Sequence, residues 1–243
     1  MARTAAALVI GNEILTGKIQ DQNVAFLARE LFELGVSLRR VIVCPDEVDV
    51  IAADLDALRG DHDVVFTSGG IGPTHDDVTL EAVAKALGRQ IVRSREIELM
   101  IRHYFGDATS EGHLRMADVP EGAVLVRNAD VPWPTVIVEN VYVFPGVPEI
   151  FRVKFPVLRD RLRADAPFVS RALYTHCDEF ELAAPLAKIA ADHPQVAIGS
   201  YLRWHEPEYK VKLTFDGRDG NAVERAFAAM CGAIPPDKLV RTE

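Results

Sequence analysis

Short apolar runs alternate with amphipathic stretches through the first third of the chain. Runs of the kind that form buried strands cover residues 5–10, 37–44 and 64–66, and each is followed by a stretch with helical spacing. The helix after the first run should begin near Asp21, which can cap it, and end at Gly35. This alternation predicts a parallel sheet that is covered by helices on both faces.

The pattern changes beyond Gly88. Ser94 should open a helix over residues 95–105, whereas residues 106–122 are polar and poorly periodic, which predicts a loop that ends in a turn. Further strand candidates cover residues 123–126, 135–138 and 141–144. A helix should then begin at Pro148, because proline is tolerated in the first turn.

A boundary is predicted near residues 164–167. The remaining stretch reads strand, helix, strand, strand, helix, strand, which is typical of a split βαβ module. We therefore predict a main domain over residues 1–165 and a small α+β domain over residues 166–243.

The third apolar run leads into a glycine-rich loop. Its sequence is Thr67-Ser68-Gly69-Gly70-Ile71-Gly72-Pro73-Thr74-His75-Asp76-Asp77, and helical spacing resumes directly after it. Glycines allow sharp turns and close approach of a ligand, and the start of the following helix would favour an anion such as phosphate. Asp76 and Asp77 are expected at that helix start, where one could cap the helix and the pair could also bind a metal or a ligand donor group.

Three loops leave the carboxyl ends of the predicted parallel strands, at Gly11, Asp46 and Gly69. Ligands of such sheets bind at that edge, so the three loops should meet around one pocket. A fourth strand–turn–helix junction, at Pro145 and Gly146, is a second candidate for a phosphate-binding turn.

Composition narrows the choice of partner and compartment. The chain has 243 residues, with 27 Lys and Arg against 36 Asp and Glu, and this acidic balance argues against binding of a nucleic-acid polymer. The three cysteines, which are widely separated, predict buried thiols rather than a zinc cluster or a disulfide framework. No apolar run reaches the roughly 18 residues needed to span a membrane, and the first run is too short for a signal peptide. We expect a cytoplasmic protein.

Several motifs taken together resemble one family. They are Gly11-Asn12-Glu13-Ile14-Leu15-Thr16-Gly17, the glycine loop up to Thr79, Phe144-Pro145-Gly146-Val147-Pro148-Glu149 and, near the end, Ile198-Gly199-Ser200-Tyr201 with Tyr209-Lys210-Val211-Lys212-Leu213. With them the chain resembles the molybdopterin-binding domain family, in particular the amino-terminal domain of the competence/damage-inducible protein CinA and the corresponding domain of eukaryotic FAD synthases. The resemblance implies a three-layer α/β/α sandwich with a mostly parallel sheet, followed by a small α+β domain. It also implies an oligomer, a dimer or a trimer.

The residues and the resemblance together give the candidate site. Cofactor-binding candidates are Gly11, Asn12, Asp46, Thr67, Ser68, Gly69, Gly70, Gly72, Pro73, Thr74 and Gly146. Catalytic candidates are Asp77, Asp76 and His75, and the metal candidates are Glu13 and Asp77. Asp46 is a candidate only because of the resemblance, since the sequence alone favours a solvated turn at this position. The alternatives are a helix cap for Asp77, a surface position for His75 and a loop position for Glu13.

Two functions remain open. The first is a binding module for molybdopterin or a related phosphorylated ligand, with a role in molybdenum cofactor biosynthesis. The second, which the resemblance to CinA implies, is hydrolysis of a nucleotide pyrophosphate such as ADP-ribose or FAD, with Mg²⁺, Mn²⁺ or Co²⁺ held by carboxylates. In the printed chain we expect neither a deamidase domain nor a synthase half. Asn23 is a further possible ligand donor, and Tyr201, Arg203 and His205 should form a surface cluster of the small domain.

Overall fold

The computed structural model describes residues 3–128, 131–204 and 208–243. Its contacts group the chain into two compact units, Met1–Asp165 and Ala166–Glu243. Each unit has a hydrophobic core of its own.

The larger unit alternates strands and helices. Its first half contains β1 (Thr4–Ile10), α1 (Asn12–Leu15), α2 (Asn23–Glu33), β2 (Ser37–Cys44), α3 (Val48–Asp61), β3 (Val64–Ser68) and α4 (Thr79–Ala86). Its second half contains β4 (Ile91–Arg93), α5 (Arg95–Phe105), α6 (Glu111–Arg115), β5 (Asp118–Pro120), β6 (Val124–Asn128), β7 (Val131–Val138), β8 (Val141–Phe144), α7 (Pro148–Lys154) and α8 (Arg159–Leu162), with 3₁₀ turns at Gly106–Ala108 and Phe155–Leu158.

A six-stranded sheet in the order β2-β1-β3-β8-β7-β6 forms the middle layer of this unit. The pairs β2/β1, β1/β3 and β3/β8 are parallel, and β8/β7 and β7/β6 are antiparallel. Successive residues of β1 face opposite cores: Leu8 packs with Leu55 of α3, while Ala7 belongs to the cluster that contains Leu31 of α2 and Phe151 of α7. The predicted three-layer sandwich with a mostly parallel sheet is confirmed.

The helix boundaries follow local chemistry. Asp21 accepts a hydrogen bond from the backbone N–H of Val24 (2.9 Å) at the start of α2. Gly35, with φ +74°, follows the C-cap residue Leu34 and ends the helix. Ser94 caps α5 by accepting from the N–H of Ile97 (3.3 Å). These three predictions are confirmed.

The expectations for the glycine loop and for residues 106–122 need correction. Helix α4 begins only at Thr79, so Asp76 and Asp77 precede the helix and do not cap it. The supposed loop over residues 106–122 contains α6, capped by Ser110, and β5, which pairs antiparallel with β4. The elements are only three to five residues long, too short to show a period in the sequence. The short helix α1 was also not predicted, for the same reason.

The smaller unit has the predicted βαββαβ order. It contains β9 (Val169–Thr175), α9 (Glu179–Asp192), β10 (Ala197–Leu202), β11 (Val211–Gly217), α10 (Gly220–Ala233) and β12 (Leu239–Thr242). Its four strands form an antiparallel sheet in the order β10-β11-β9-β12. Leu213 and Phe215 of β11 pack with Ala226 of α10, which makes this unit an α+β fold. Tyr201 and Arg203 line one open cavity of this unit, and His205 lies outside the described residues.

Candidate functional site

The loops after β1 and β2 meet at the carboxyl edge of the sheet. The backbone N–H of Asn12 donates to Asp46 Oδ2 (2.8 Å), and the N–H of Gly11 donates to the Cys44 carbonyl (3.2 Å). The Asp46 side chain therefore joins two loops that are separated by a whole helix and a strand.

The loop after β3 is pressed against both of its neighbours at Gly69. A Cβ on this residue would lie 2.2 Å from the carbonyl oxygen of Ile10, and its φ of +109° is open mainly to glycine. The N–H of Gly69 donates to the Phe144 carbonyl (3.1 Å), and Gly146 lies so close that its own Cβ would be 3.4 Å from Gly69 Cα. The loops after β1, β2 and β3 therefore meet at one edge, as the sequence predicted. The turn at Gly146 is a fourth segment at the same edge.

The glycine loop is also fixed to the start of α4. The hydroxyl of Thr79, which is fully buried, donates to the Gly69 carbonyl (2.9 Å), and its N–H donates to the Gly70 carbonyl (3.0 Å). A Cβ on Gly70, whose φ is +65°, would lie 2.3 Å from that hydroxyl oxygen. The N–H of Thr79, the first of α4, is therefore already bonded to the glycine loop. Only the N–H groups that follow it in the first turn of α4 are left for an anion.

The second half of the loop is a turn closed by carboxylates. Asp77 Oδ2 accepts from the N–H of Thr74 (2.8 Å) and lies 2.6 Å from the Thr74 hydroxyl, which is also 2.6 Å from Asp76 Oδ1. Because a hydroxyl has one proton, it serves only one of the two acids at a time. The hydrogen bond from Thr74 lowers the pKa of Asp76, because it stabilises the ionised carboxylate. The side chain of His75 is 96% exposed.

A cavity of about 230 Å³ lies beside the loop and is called the Asn23 cavity here. Asn23, at the start of α2, is 3% exposed, and its Nδ2 donates to Ser68 Oγ (2.9 Å) and to the Gly146 carbonyl (2.8 Å). Its Oδ1 has no hydrogen-bond partner among the described residues. A buried amide oxygen without a partner is costly, and a ligand donor would satisfy it.

The lining of the Asn23 cavity is acidic. Glu13, Asp21 and Glu149 contribute carboxylates, and the described lining contains no lysine or arginine. A bare phosphate would be repelled here, whereas a cation or an uncharged polar group would be accepted.

A second cavity, of about 340 Å³, has none of the lining residues of the Asn23 cavity and is called the Asp77 cavity. It is lined by Gly72 and Asp77 of the loop, by Leu80 of α4, and by Arg115 and Met116, among others. A recess of about 60 Å³ shares Ile71, Leu80 and Met116 with this cavity and also includes Trp133 and Lys154. We call it the Lys154 recess.

The predicted residues are not all brought together. Glu13 lines the Asn23 cavity and Asp77 lines the Asp77 cavity, so the two metal candidates face different spaces. In the part of the chain that the structure describes, no group of three His, Cys, Asp or Glu side chains fits a metal ion. A metal held by these carboxylates would need ligand oxygens as well, and the metal site stays a prediction.

Thr67 and Ser68, both at the end of β3, differ in accessibility. Ser68 is 6% exposed and lines the Asn23 cavity, whereas Thr67 is fully buried and its hydroxyl lacks a described partner. The Thr67 side chain is therefore out of reach of a ligand at the edge, although its backbone helps to place the loop. Pro73 and Thr74 are exposed.

Sequence reasoning missed two cationic residues near the loop. Arg115 lies at the end of α6, in the stretch that was predicted to be a loop. Lys154 lies within a helix, where a single lysine gives no signal of burial, yet it is 5% exposed. Only the tertiary fold places Arg115 in the cavity that Asp77 lines and Lys154 in the recess beside that cavity.

Comparison with known proteins agrees with this geometry. A sequence model described as a probable molybdopterin binding domain matches residues 6–164. The chain belongs to the molybdopterin-binding domain family. A second model, described as the middle domain of FAD synthase, matches residues 167–243, so the CinA- and FAD-synthase-like resemblance of the sequence is confirmed.

Relatives of this family cover most of the chain. A protein of Archaeoglobus fulgidus is 34% identical over 217 residues, which are 89% of this chain and 92% of that protein. A probable FAD synthase of Caenorhabditis elegans is 31% identical over 255 residues; the match covers 94% of this chain and 49% of the relative, so the chain spans about half of that protein. A crystal structure of the protein CinA from Thermoplasma acidophilum, described as of unknown function, is 30% identical, with a TM-score of 0.62, and covers 66% of this chain and 98% of that one.

None of the helices in the described ranges is long and apolar enough to cross a membrane.

Proposed function

We propose that the protein binds a phosphorylated pterin or nucleotide at the carboxyl edge of its larger unit, as a molybdopterin-binding module. The observation that supports this most directly is the buried Asn23 side chain beside the glycine loop, with an amide oxygen that lacks a described partner. Family membership supports the same ligand class. A role in molybdenum cofactor biosynthesis is part of this proposal.

The glycine loop provides the place for phosphate. At Gly69 and Gly70 the backbone turns with positive φ, because a Cβ on these residues would collide with Ile10 or Thr79. A glycine turn at the edge of the sheet can present backbone N–H groups to an anion. The acidic Asn23 cavity would then receive an uncharged polar part of the ligand, whose N–H or O–H donates to Asn23 Oδ1. This division of roles avoids placing phosphate among Glu13, Asp21 and Glu149.

Calorimetry tests this proposal with purified full chain and four probes: molybdopterin, FAD, ADP-ribose and inorganic phosphate. We expect at least one of the organic ligands to bind much more tightly than phosphate. Replacing Asn23 by Ala should weaken that ligand about tenfold, because one hydrogen bond to a buried group is lost. Asn221→Ala, an exposed asparagine of α10, is the matched control and should change nothing.

Two outcomes would overturn the proposal. One is that no organic ligand binds more tightly than inorganic phosphate. The other is that Asn23→Ala, folded by circular dichroism, binds as the unchanged protein does. Ser68→Ala provides a second variant if Asn23→Ala does not fold, since it removes the hydroxyl that orients the amide.

The acidic lining of the Asn23 cavity favours a second candidate, metal-dependent hydrolysis of a nucleotide pyrophosphate. Mg²⁺ and Mn²⁺ are often held by one or two carboxylates together with substrate phosphates, so a site built partly by the ligand is consistent with the separation of Glu13 from Asp77. The test is chromatography of ADP-ribose and FAD after incubation with Mg²⁺, Mn²⁺ or Co²⁺. Product in the unchanged protein, lost in Glu13→Gln but kept in Asp77→Asn, would place the metal in the Asn23 cavity. Absence of product with all three metals excludes this candidate.

Self-association is the third element of the proposal. Val41 and Val43 on the edge strand β2 are 41% and 40% exposed, and an exposed apolar edge strand is a template for pairing with another chain. We propose a dimer or trimer of this chain. Light scattering behind size-exclusion chromatography measures it directly, and a monomer at high concentration would contradict it.

A further inference from the structure

Lys154, the last residue of α7, is the charged side chain that is most deeply buried near the site. It is 5% exposed, and its Nζ donates to the carbonyl of Pro134 in β7 (2.8 Å). No carboxylate among the described residues pairs with it, and burial lowers its pKa to about 8. At neutral pH the group is therefore mostly an ammonium ion with no counter-charge.

The ammonium has more donors than partners. It carries three N–H groups, and only one of them has an acceptor in the described protein. The described lining of the Lys154 recess supplies no side-chain acceptor, because it otherwise consists of apolar or donor-only side chains such as Ile71, Leu80, Met116 and Trp133. Burial of unsatisfied donors is costly, so an acceptor from outside the chain would be stabilising here.

The recess opens towards the glycine loop. It shares Ile71, Leu80 and Met116 with the Asp77 cavity, which therefore adjoins it. The Asp77 cavity, with about 340 Å³, is large enough for a fused ring system, whereas the recess, with about 60 Å³, holds only the edge of one. The walls of the recess are apolar and end at the Lys154 ammonium, which suits the rim of a flat ring that carries an acceptor. The Asp77 cavity is more polar, because Asp77, Glu81, Asp118 and Arg115 line it together with apolar side chains such as Ile71 and Leu80.

We propose that the Asp77 cavity and the Lys154 recess form the ring subsite of the ligand, in which Lys154 donates to an oxo group of the ring. The inference rests on the proposed phosphate site and adds the class of ring. An oxo-bearing ring, such as guanine, pterin or isoalloxazine, presents an acceptor at that rim. Adenine presents an amino group at the corresponding position, which donates and is repelled by an ammonium. Lys154 is thus a specificity-determining residue.

A pair of nucleoside diphosphates tests the proposal, because GDP and ADP share the diphosphate and differ in the ring. Calorimetry with the full chain should give about tenfold tighter binding of GDP than of ADP. Lys154→Met keeps the unbranched apolar body of the side chain but removes the terminal ammonium and its donors. In this variant GDP should bind as weakly as ADP, while binding of ADP and of inorganic pyrophosphate stays as in the unchanged protein.

Fluorescence gives a second measurement. The chain has two tryptophans, Trp133 and Trp204, so in Trp204→Phe the emission comes from Trp133 at the recess alone. GDP should shift this emission and pyrophosphate should not. Lys85→Met, which removes an exposed lysine of α4 paired with Asp49, is the matched control and should leave all affinities unchanged.

The outcomes separate the two proposals. If neither diphosphate nor pyrophosphate binds, the phosphate site and the ring subsite both fail. If GDP and ADP bind equally well, or if Lys154→Met keeps the preference for GDP, the phosphate site stands and the ring subsite is wrong. If Lys154→Met does not fold, Val136→Ile adds a methyl group to the wall of the recess and should weaken GDP but not pyrophosphate. Unchanged GDP affinity in that folded variant also contradicts the ring subsite.

Discussion

The backbone N–H of Asn12 and the carboxylate of Asp46 form a 2.8 Å hydrogen bond that ties the loop after β1 to the loop after β2. Both residues lie at the edge where the candidate ligand would bind. The bond explains an aspartate at this position without a ligand, because a charged acceptor on a backbone N–H holds the loop in place.

Replacing Asp46 by Ala should lower the free energy of unfolding by about 1 kcal/mol, the usual contribution of one such bond. Asp46→Asn should stay close to the unchanged protein, because the amide oxygen also accepts from the Asn12 N–H. Urea unfolding of the three proteins measures the difference. Equal losses in both variants would mean that the negative charge, and not the hydrogen bond, is what stabilises this edge.

Replacing Gly69 by Ala tests how closely the glycine loop packs against β1, and the same replacement at Gly60 is the control. Gly69→Ala places a Cβ against the Ile10 carbonyl and forces an unfavourable φ, so the loss of stability should exceed about 3 kcal/mol. Gly60 lies in α3 with open space around it, and Gly60→Ala should stabilise by about 0.5 kcal/mol through helix propensity. Thermal and urea unfolding distinguish the two directions. A mild effect at Gly69 would contradict the close contact between the loop and β1.

Thr67→Val tests whether the buried hydroxyl has a role. The hydroxyl is fully buried and has no described partner, so its replacement by a methyl group should raise the free energy of unfolding by about 1 kcal/mol. Ligand affinity should not change, because the side chain does not reach the Asn23 cavity. A loss of affinity in a folded Thr67→Val protein would restore Thr67 as a ligand-binding side chain.

Lys154 makes stability depend on pH. Its pKa is lowered from 10.5 to about 8 by burial, so the unfolded chain binds the proton more tightly than the folded one between these values. The cost of the buried charge is fully present below pH 8 and disappears as the pH rises towards 10.5, so this residue makes the protein more stable with rising pH in that window. Relative to Lys154→Met, the gain should be on the order of 3 kcal/mol.

The measurement is urea unfolding of the unchanged protein and of Lys154→Met from pH 7 to pH 10.5. The difference between the two curves isolates the lysine from the other groups that titrate in this range. A difference that is independent of pH would show that Lys154 has an ordinary pKa, and hence a more polar environment than the structure gives it.

The strands of the central sheet and their shared edge could be predicted from sequence, because apolar runs and glycine loops are local signals. The role of Asp77 could not. Its position suggested a ligand or metal contact, with a helix cap as the alternative. In the structure the carboxylate accepts from Thr74 and closes a turn, and it is not a cap because the helix starts two residues later. Nor could the burial of Lys154 be predicted, because it depends on β7 and α7 packing together. Local chemistry thus predicts where the site lies, and long-range packing decides which side chains face it.

The pairing of β3 with β8 has a consequence for the order of synthesis. Val65 pairs with Val141, and Gly69 rests against Phe144 and Gly146, so the ligand edge joins segments that leave the ribosome far apart in time. Contacts between such distant segments form slowly, because a long loop must close first. A nascent chain that stops short of β8 therefore carries the glycine loop without its neighbour, and an apolar β3 without one of its two pairing strands. During that interval the unpaired edge of β3 is a place where aggregation can begin.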